Sequence, residues 1–134
     1  MLIRRKVTVK AVMTPFLRKE MLANIDALIL QTKKEIELLE KEIRKILFVP
    51  EAQLGAEGLR LKALMEAEKR EKEKIYRELE KQKKEIEDKV DGDEVVYSVI
   101  EGFVDINVGD DLLKKVEGGE IVIKDGEVIE IRNE

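Results

Sequence analysis

The 134-residue chain contains no cysteine, no histidine and no tryptophan. Without a thiol or an imidazole there is no disulfide, no Cys- or His-based catalysis, and no ordinary zinc, haem or iron–sulfur site. Proline occurs twice, at Pro15 and Pro50, and only 4% of the residues are aromatic. A compact globule of this size needs more bulky apolar side chains than that, so much of the chain is expected to be solvated helix. No uncharged run approaches the roughly 18 residues that cross a bilayer, and the charges of Met1-Leu2-Ile3-Arg4-Arg5-Lys6 are followed by no apolar signal core. The expectation is a cytoplasmic protein without membrane contacts.

Charge is what the chain has in abundance: 42% of its residues are Asp, Glu, Lys or Arg, against about 25% in ordinary globular domains. The signs are unevenly placed. Residues 1–19 carry six cations and no acid, residues 20–91 carry 16 cations and 18 acids, and residues 92–134 carry 4 cations and 12 acids. Opposite charge at the two ends predicts that they meet.

Ile3, Val7, Val9 and Ala11 alternate with Arg4, Lys6, Thr8 and Lys10, which predicts a strand with Arg5 alone on the wrong side. Thr14-Pro15 then reads as a helix start, with Thr as the N-cap and Pro in the first helical position. Leu22, Ile25, Ile29, Thr32, Ile36, Leu39, Ile43 and Ile46 step by three and four residues, a coiled-coil seam with one polar lapse at Thr32. This helix is expected to run to Leu47. Pro50, Gly55 and Gly58 interrupt the pattern, after which Leu61, Leu64, Met65, Ile75, Leu79, Ile86 and Val90 resume it up to Asp91-Gly92. Two such helices joined by a short loop imply an antiparallel hairpin folded about residue 52. Its middle is expected to be soft and held by intrahelical pairs such as Glu66–Arg70, Glu68–Lys72 and Glu73–Arg77.

The last segment reads as β: Val95–Ile100 and Phe103–Val108 on either side of Gly102, a helical turn from Asp110 to Val116, and a hairpin of Ile121–Lys124 with Glu127–Ile131 around Asp125-Gly126. With the N-terminal strand these make five strands. The predicted architecture is therefore α+β: a five-stranded, barrel-like β-domain from residues 1–13 with 92–134, into which an antiparallel coiled-coil hairpin, residues 14–91 with its tip at 48–56, is inserted. Tyr97 and Phe103 are expected in the barrel core.

The tip reads Ile46-Leu47-Phe48-Val49-Pro50-Glu51-Ala52-Gln53-Leu54. Leu47, Phe48, Val49 and Leu54 are candidates for contacting a protein partner, unless they only close over one another. Arg4, Arg5, Lys6 and Lys10 are the alternative candidates, as phosphate ligands for an RNA or a ribosomal surface, although charge matching with the acidic C-terminal strands explains them as well. The run from Asp105 to Asp111 begins like a calcium loop, but its Gly109 is one position early and Val116 stands where a bidentate Glu is needed. No phosphate-cradling glycine loop and no nucleophile–base pair occurs. We expect no catalytic, metal-ligating or cofactor-binding residue, hence a non-enzymatic interaction or scaffold module, with self-association as a further expectation.

The basic first strand ending Val9-Lys10-Ala11-Val12-Met13-Thr14, the charged helical middle, Ile100-Glu101-Gly102-Phe103-Val104, Val108-Gly109-Asp110 and Glu120–Ile131 together resemble the YlqD family of small bacterial proteins. The resemblance implies no catalytic residues. It implies instead a genomic neighbourhood of ribosome-maturation and tRNA-modifying proteins.

Overall fold

Thr14 and Pro15 start a helix as the sequence suggests: the Leu17 amide donates to the Thr14 hydroxyl at 3.1 Å, a capped first turn. In the computed structural model, which describes residues 1–132, the elements run β1 (Leu2–Val12), α1 (Pro15–Leu47), α2 (Glu51–Asp88), β2 (Glu94–Asp105), α3 (Leu112–Val116), β3 (Glu120–Lys124) and β4 (Glu127–Arg132). The chain divides into two compact units. One holds Met1–Lys19 and the chain from Lys89 onward; the other is Glu20–Asp88.

In the first unit the sheet order is β2-β1-β3-β4. β1 is antiparallel to β2 and parallel to β3, and β3 is antiparallel to β4. The count of five strands is corrected to four, and the barrel to an open sheet. Gly102 does not break the chain into two strands: it sits opposite Arg5 in an unbroken register from Leu2↔Asp105 to Val9↔Ser98. Glycine weakens a strand without forbidding one. β2 and β4 are the two edges, and among the described residues they share no ladder. A bidentate ion pair links them instead, with Arg132 donating to Glu94 at 2.6 and 2.9 Å.

The alternation of β1 puts Val9 and Ala11 in the core with Met13, Leu17, Val104 and Val122. The Asp125-Gly126 turn has positive φ at both residues, 48° and 86°, as a tight hairpin demands. Lys124 faces Glu127 and Ile123 faces Val128, as the two-residue loop dictates. The Asp125 carboxylate accepts the Thr14 hydroxyl at 2.7 Å, so one side chain joins the start of α1 to the β3–β4 turn. Gly118 is required for a different reason. Its φ is +79°, and a Cβ there would lie 1.9 Å from the Lys6 carbonyl oxygen.

In the second unit α1 and α2 form the helical hairpin. All eight predicted positions of α1 are buried or half-buried, with Ile25, Thr32 and Ile43 buried. The fold point is corrected from residue 52 to about 54. The interhelical ion pairs Asp26–Lys83 (2.8 Å), Glu35–Lys72 (2.8 Å) and Glu40–Lys69 (3.6 Å) fix this register, and helical geometry breaks at Gly55 (φ 68°, ψ −178°).

Candidate interaction surfaces

The tip is built by the failure of two helices to continue. α1 ends at Leu47, the Phe48 and Val49 amides still reach back to Arg44 and Ile46, and Pro50 begins a new turn that closes through Gln53. This leaves Phe48 88% exposed, with Leu47 and Val49 also in solvent. Leu54 is half-buried and tucks against Gly58, whose absent Cβ would touch the Leu54 side chain at 3.0 Å. Three of the four predicted tip residues are therefore exposed, and the fourth helps to shape the turn.

Of the cations on the basic strand, one is paired within the sheet, while Arg4 and Lys6 are exposed and form no ion pair among the described residues. Lys10 pairs with Glu120 at 3.1 Å. Lys6 lies opposite Glu101 and Arg4 opposite Phe103 on the same face. Arg5, the residue out of alternation, is on the other face, and its guanidinium reaches the Lys115 carbonyl of α3 at 3.4 Å. Tyr97 and Phe103, expected in a core, are instead 55% and 68% exposed. They sit on edge strand β2, where Phe103 alternates with the buried Val104 and so lies on the opposite, uncovered face of an open sheet.

The site feature that the apolar pattern hid is the seam of α2. Its less exposed residues are Leu54, Gly58, Lys62, Met65, Lys69, Lys72, Tyr76, Leu79, Lys83 and Ile86, with Glu66 and Glu73 beside them. Leu61, Leu64 and Ile75, expected on the seam, are exposed, and no residue of α2 is fully buried. Four lysines thus occupy inward positions, where their stems cover apolar surface, and the ammonium groups of Lys69, Lys72 and Lys83 meet acids beside the α1 seam. In the middle of the hairpin the ion pairs among the described residues are Lys69–Glu40, Lys69–Glu73 and Lys72–Glu35, in place of the expected Glu66–Arg70, Glu68–Lys72 and Glu73–Arg77. Hydrogen bonding to Lys72 holds the Glu35 carboxyl below the usual range, and the bond to Asp26 raises Lys83. Tyr76 is raised by its bond to Glu80. An open recess of about 530 Å³ lies between Ile29, Tyr76, Lys83 and Glu87.

Among the described residues, no group of three or more acidic side chains is placed to hold a metal ion. No helix among these residues is long and apolar enough to cross a membrane.

Comparison with known proteins gives a family and a fold. The model of the YlqD protein family matches residues 1–132, and the chain belongs to that family. No curated protein matches the chain. A crystal structure of a protein of unknown function from Synechococcus sp. WH 8102 has the same fold. Its TM-score is 0.88 at 24% identity, over 98% of this chain and 96% of that one.

Proposed function

We propose that this YlqD-family chain is a non-enzymatic protein-interaction module, in which a coiled-coil hairpin offers an apolar tip to a partner. The observation that carries the reading is Phe48, one of the chain's few aromatic side chains, standing 88% exposed between Leu47 and Val49 at a helix end. Large apolar side chains gathered at a turn give a partner something to bury, on the order of 1.5–3 kcal/mol for each one fully covered. Aromatic anchors of this kind dominate protein interfaces. The acids and cations around the tip would then form the polar rim.

The reading is tested by affinity capture from the native cytoplasm with wild-type protein and with Phe48→Ser and Leu54→Ser. A specific partner should be lost with Phe48→Ser while the melting temperature stays within a few degrees of wild type. A large drop in melting temperature with Phe48→Ser would make the tip a structural cap and overturn the proposal. Leu54→Ser is expected to lose some stability as well, since Leu54 packs on Gly58.

A further inference from the structure

The side of α2 turned away from its seam reads Arg60, Ala63, Ala67, Arg70, Lys74, Arg77, Lys81 and Lys84, spaced alternately three and four residues apart. All eight are exposed. This is a single stripe along the helix with six cations, two small residues and no acid. The acids of α2 lie elsewhere on the helix, and two beside the seam are engaged there, Glu73 by Lys69 and Glu80 by the Tyr76 hydroxyl. Among the described residues none of the six cations forms an ion pair. Arg70 to Lys84 alone place five cations over about 21 Å of helix, roughly 5 Å apart.

We propose that this stripe binds the phosphate backbone of a nucleic-acid duplex without regard to sequence. A duplex carries one negative charge per about 1.7 Å of its axis, a finer spacing than that of the cations, so a phosphate is available to each of them in any register. The stripe holds no aromatic side chain on which an unpaired base would stack, which favours a duplex over a single strand. It also holds nothing larger than alanine for a protein partner to bury, which disfavours an acidic protein. The net charge of −4 does not forbid the contact. Screening acts over about 8 Å at physiological ionic strength, so only the nearest acids count: Glu71, Glu78 and Glu85 border the stripe a helical turn from Lys74 and Lys81 and weaken the contact without forming an ion pair with it.

The test is fluorescence anisotropy with the full chain and labelled RNA and DNA duplexes of about two helical turns. Binding is expected with Kd on the order of 10⁻⁴–10⁻⁶ M at physiological salt. Four or five phosphate contacts predict a loss of roughly 150- to 500-fold between 50 and 200 mM salt. Replacing Arg70, Lys74, Arg77 and Lys81 together by Gln, a comparable helix former, should weaken binding at low salt at least tenfold and flatten the salt dependence. Arg4→Gln with Lys6→Gln should leave affinity within twofold. If the fourfold variant does not fold, Arg70→Gln/Arg77→Gln and Lys74→Gln/Lys81→Gln should each remove about half of the salt slope. Absence of binding to both duplexes at 50 mM salt overturns the proposal, as does equal loss through Arg4 and Lys6. Self-association that the fourfold variant abolishes, without duplex binding, would assign the stripe to a second copy of the chain and likewise overturn it.

Discussion

Thr14 is the side chain whose loss should be felt most widely in the sheet-bearing unit, and the size of that loss follows from its two bonds. Its hydroxyl accepts from the Leu17 amide at 3.1 Å and donates to the Asp125 carboxylate at 2.7 Å, and the residue is buried. Thr14→Val keeps the shape and removes both bonds. Losing an N-cap costs about 1 kcal/mol, and losing a hydrogen bond to a charged acceptor about 1.5–3 kcal/mol. The added methyl returns roughly 0.8 kcal/mol at most. The expected net loss is about 2–3 kcal/mol, read from urea unfolding, or a fall of about 10–20 °C in melting temperature for a unit of this size. Thr14→Ser keeps both bonds and should lose no more than about 1 kcal/mol through its missing methyl. Asp125→Gly removes the acceptor without straining the positive φ of the turn. In a double-mutant cycle Thr14→Val and Asp125→Gly should couple by about 1–3 kcal/mol. A Thr14→Val protein within about 0.5 kcal/mol of wild type, or a strictly additive cycle, would refute the view that this hydroxyl ties the helix start to the turn.

Gly118→Ala should destabilise by at least about 3 kcal/mol, because backbone strain at positive φ adds to a Cβ placed 1.9 Å from the Lys6 carbonyl. Gly55→Ala meets nothing within 4 Å and should lose only the strain of a conformation that is essentially glycine's alone (φ 68°, ψ −178°), about 1–3 kcal/mol, without the clash that adds to the loss at Gly118. Lys62→Leu, which puts aliphatic bulk on the α2 seam at the inward lysine that forms no ion pair among the described residues, should raise stability by about 1 kcal/mol, and an unchanged or lower midpoint would show that the lysine stem already fills the seam. On acidification, Glu35, Glu94 and Glu130 all lie below their ordinary 4.5, held there by hydrogen bonds from Lys72 and Arg132. A depressed carboxyl contributes stability above its unfolded value and loses it as pH falls through the folded one. The melting temperature should therefore hold level from neutrality towards 4.5 and decline below it, less steeply in high salt, and a profile flat below 4.5 would count against these pairs.

The helical hairpin was legible because its signals are local. Thr14-Pro15, the steps from Leu22 to Ile46, and the Pro50 and Gly55 breaks each act within a turn or two of chain, and each appears where the residues put it. The Asp125-Gly126 turn was legible for the same reason. The sheet was less so. Whether Gly102 ends a strand depends on whether Arg5 lies opposite it in a continuing ladder, a fact held by β1 almost a hundred residues away. Tyr97 and Phe103 were misplaced in consequence, since a barrel would have enclosed them and an open sheet leaves them on an edge strand. The α2 seam was misread through its chemistry. A search for apolar positions selects Leu61, Leu64 and Ile75, whereas the helix turns Lys62, Lys69, Lys72 and Lys83 inward. Long lysine side chains bury their stems and keep their charges wet, so a lysine counts as polar in a pattern and as partly apolar in a packed seam.

Those inward lysines also explain the surface of the hairpin. With cations on the seam of α2, the acids that satisfy them stand beside the α1 seam, as Asp26, Glu35 and Glu40 do. The acids that flank the α2 seam, such as Glu73 and Glu80, are drawn towards it. The cations outside the seam, from Arg60 to Lys84, are then left with neither an interhelical nor an intrahelical partner. A helix pair closed by a fully apolar seam would have had no such requirement, and its surface charges would have been free to alternate and cancel as i, i+4 pairs. Closing the pair through ions draws part of its charge to the seam, and α2 keeps a row of six cations without an ion pair, bordered by Glu71, Glu78 and Glu85. The row and the seam should respond to opposite perturbations: neutralising Arg70 and Arg77 should leave the unfolding midpoint nearly unchanged, whereas neutralising Lys72 and Lys83 should lower it, because only the second pair is bonded to α1.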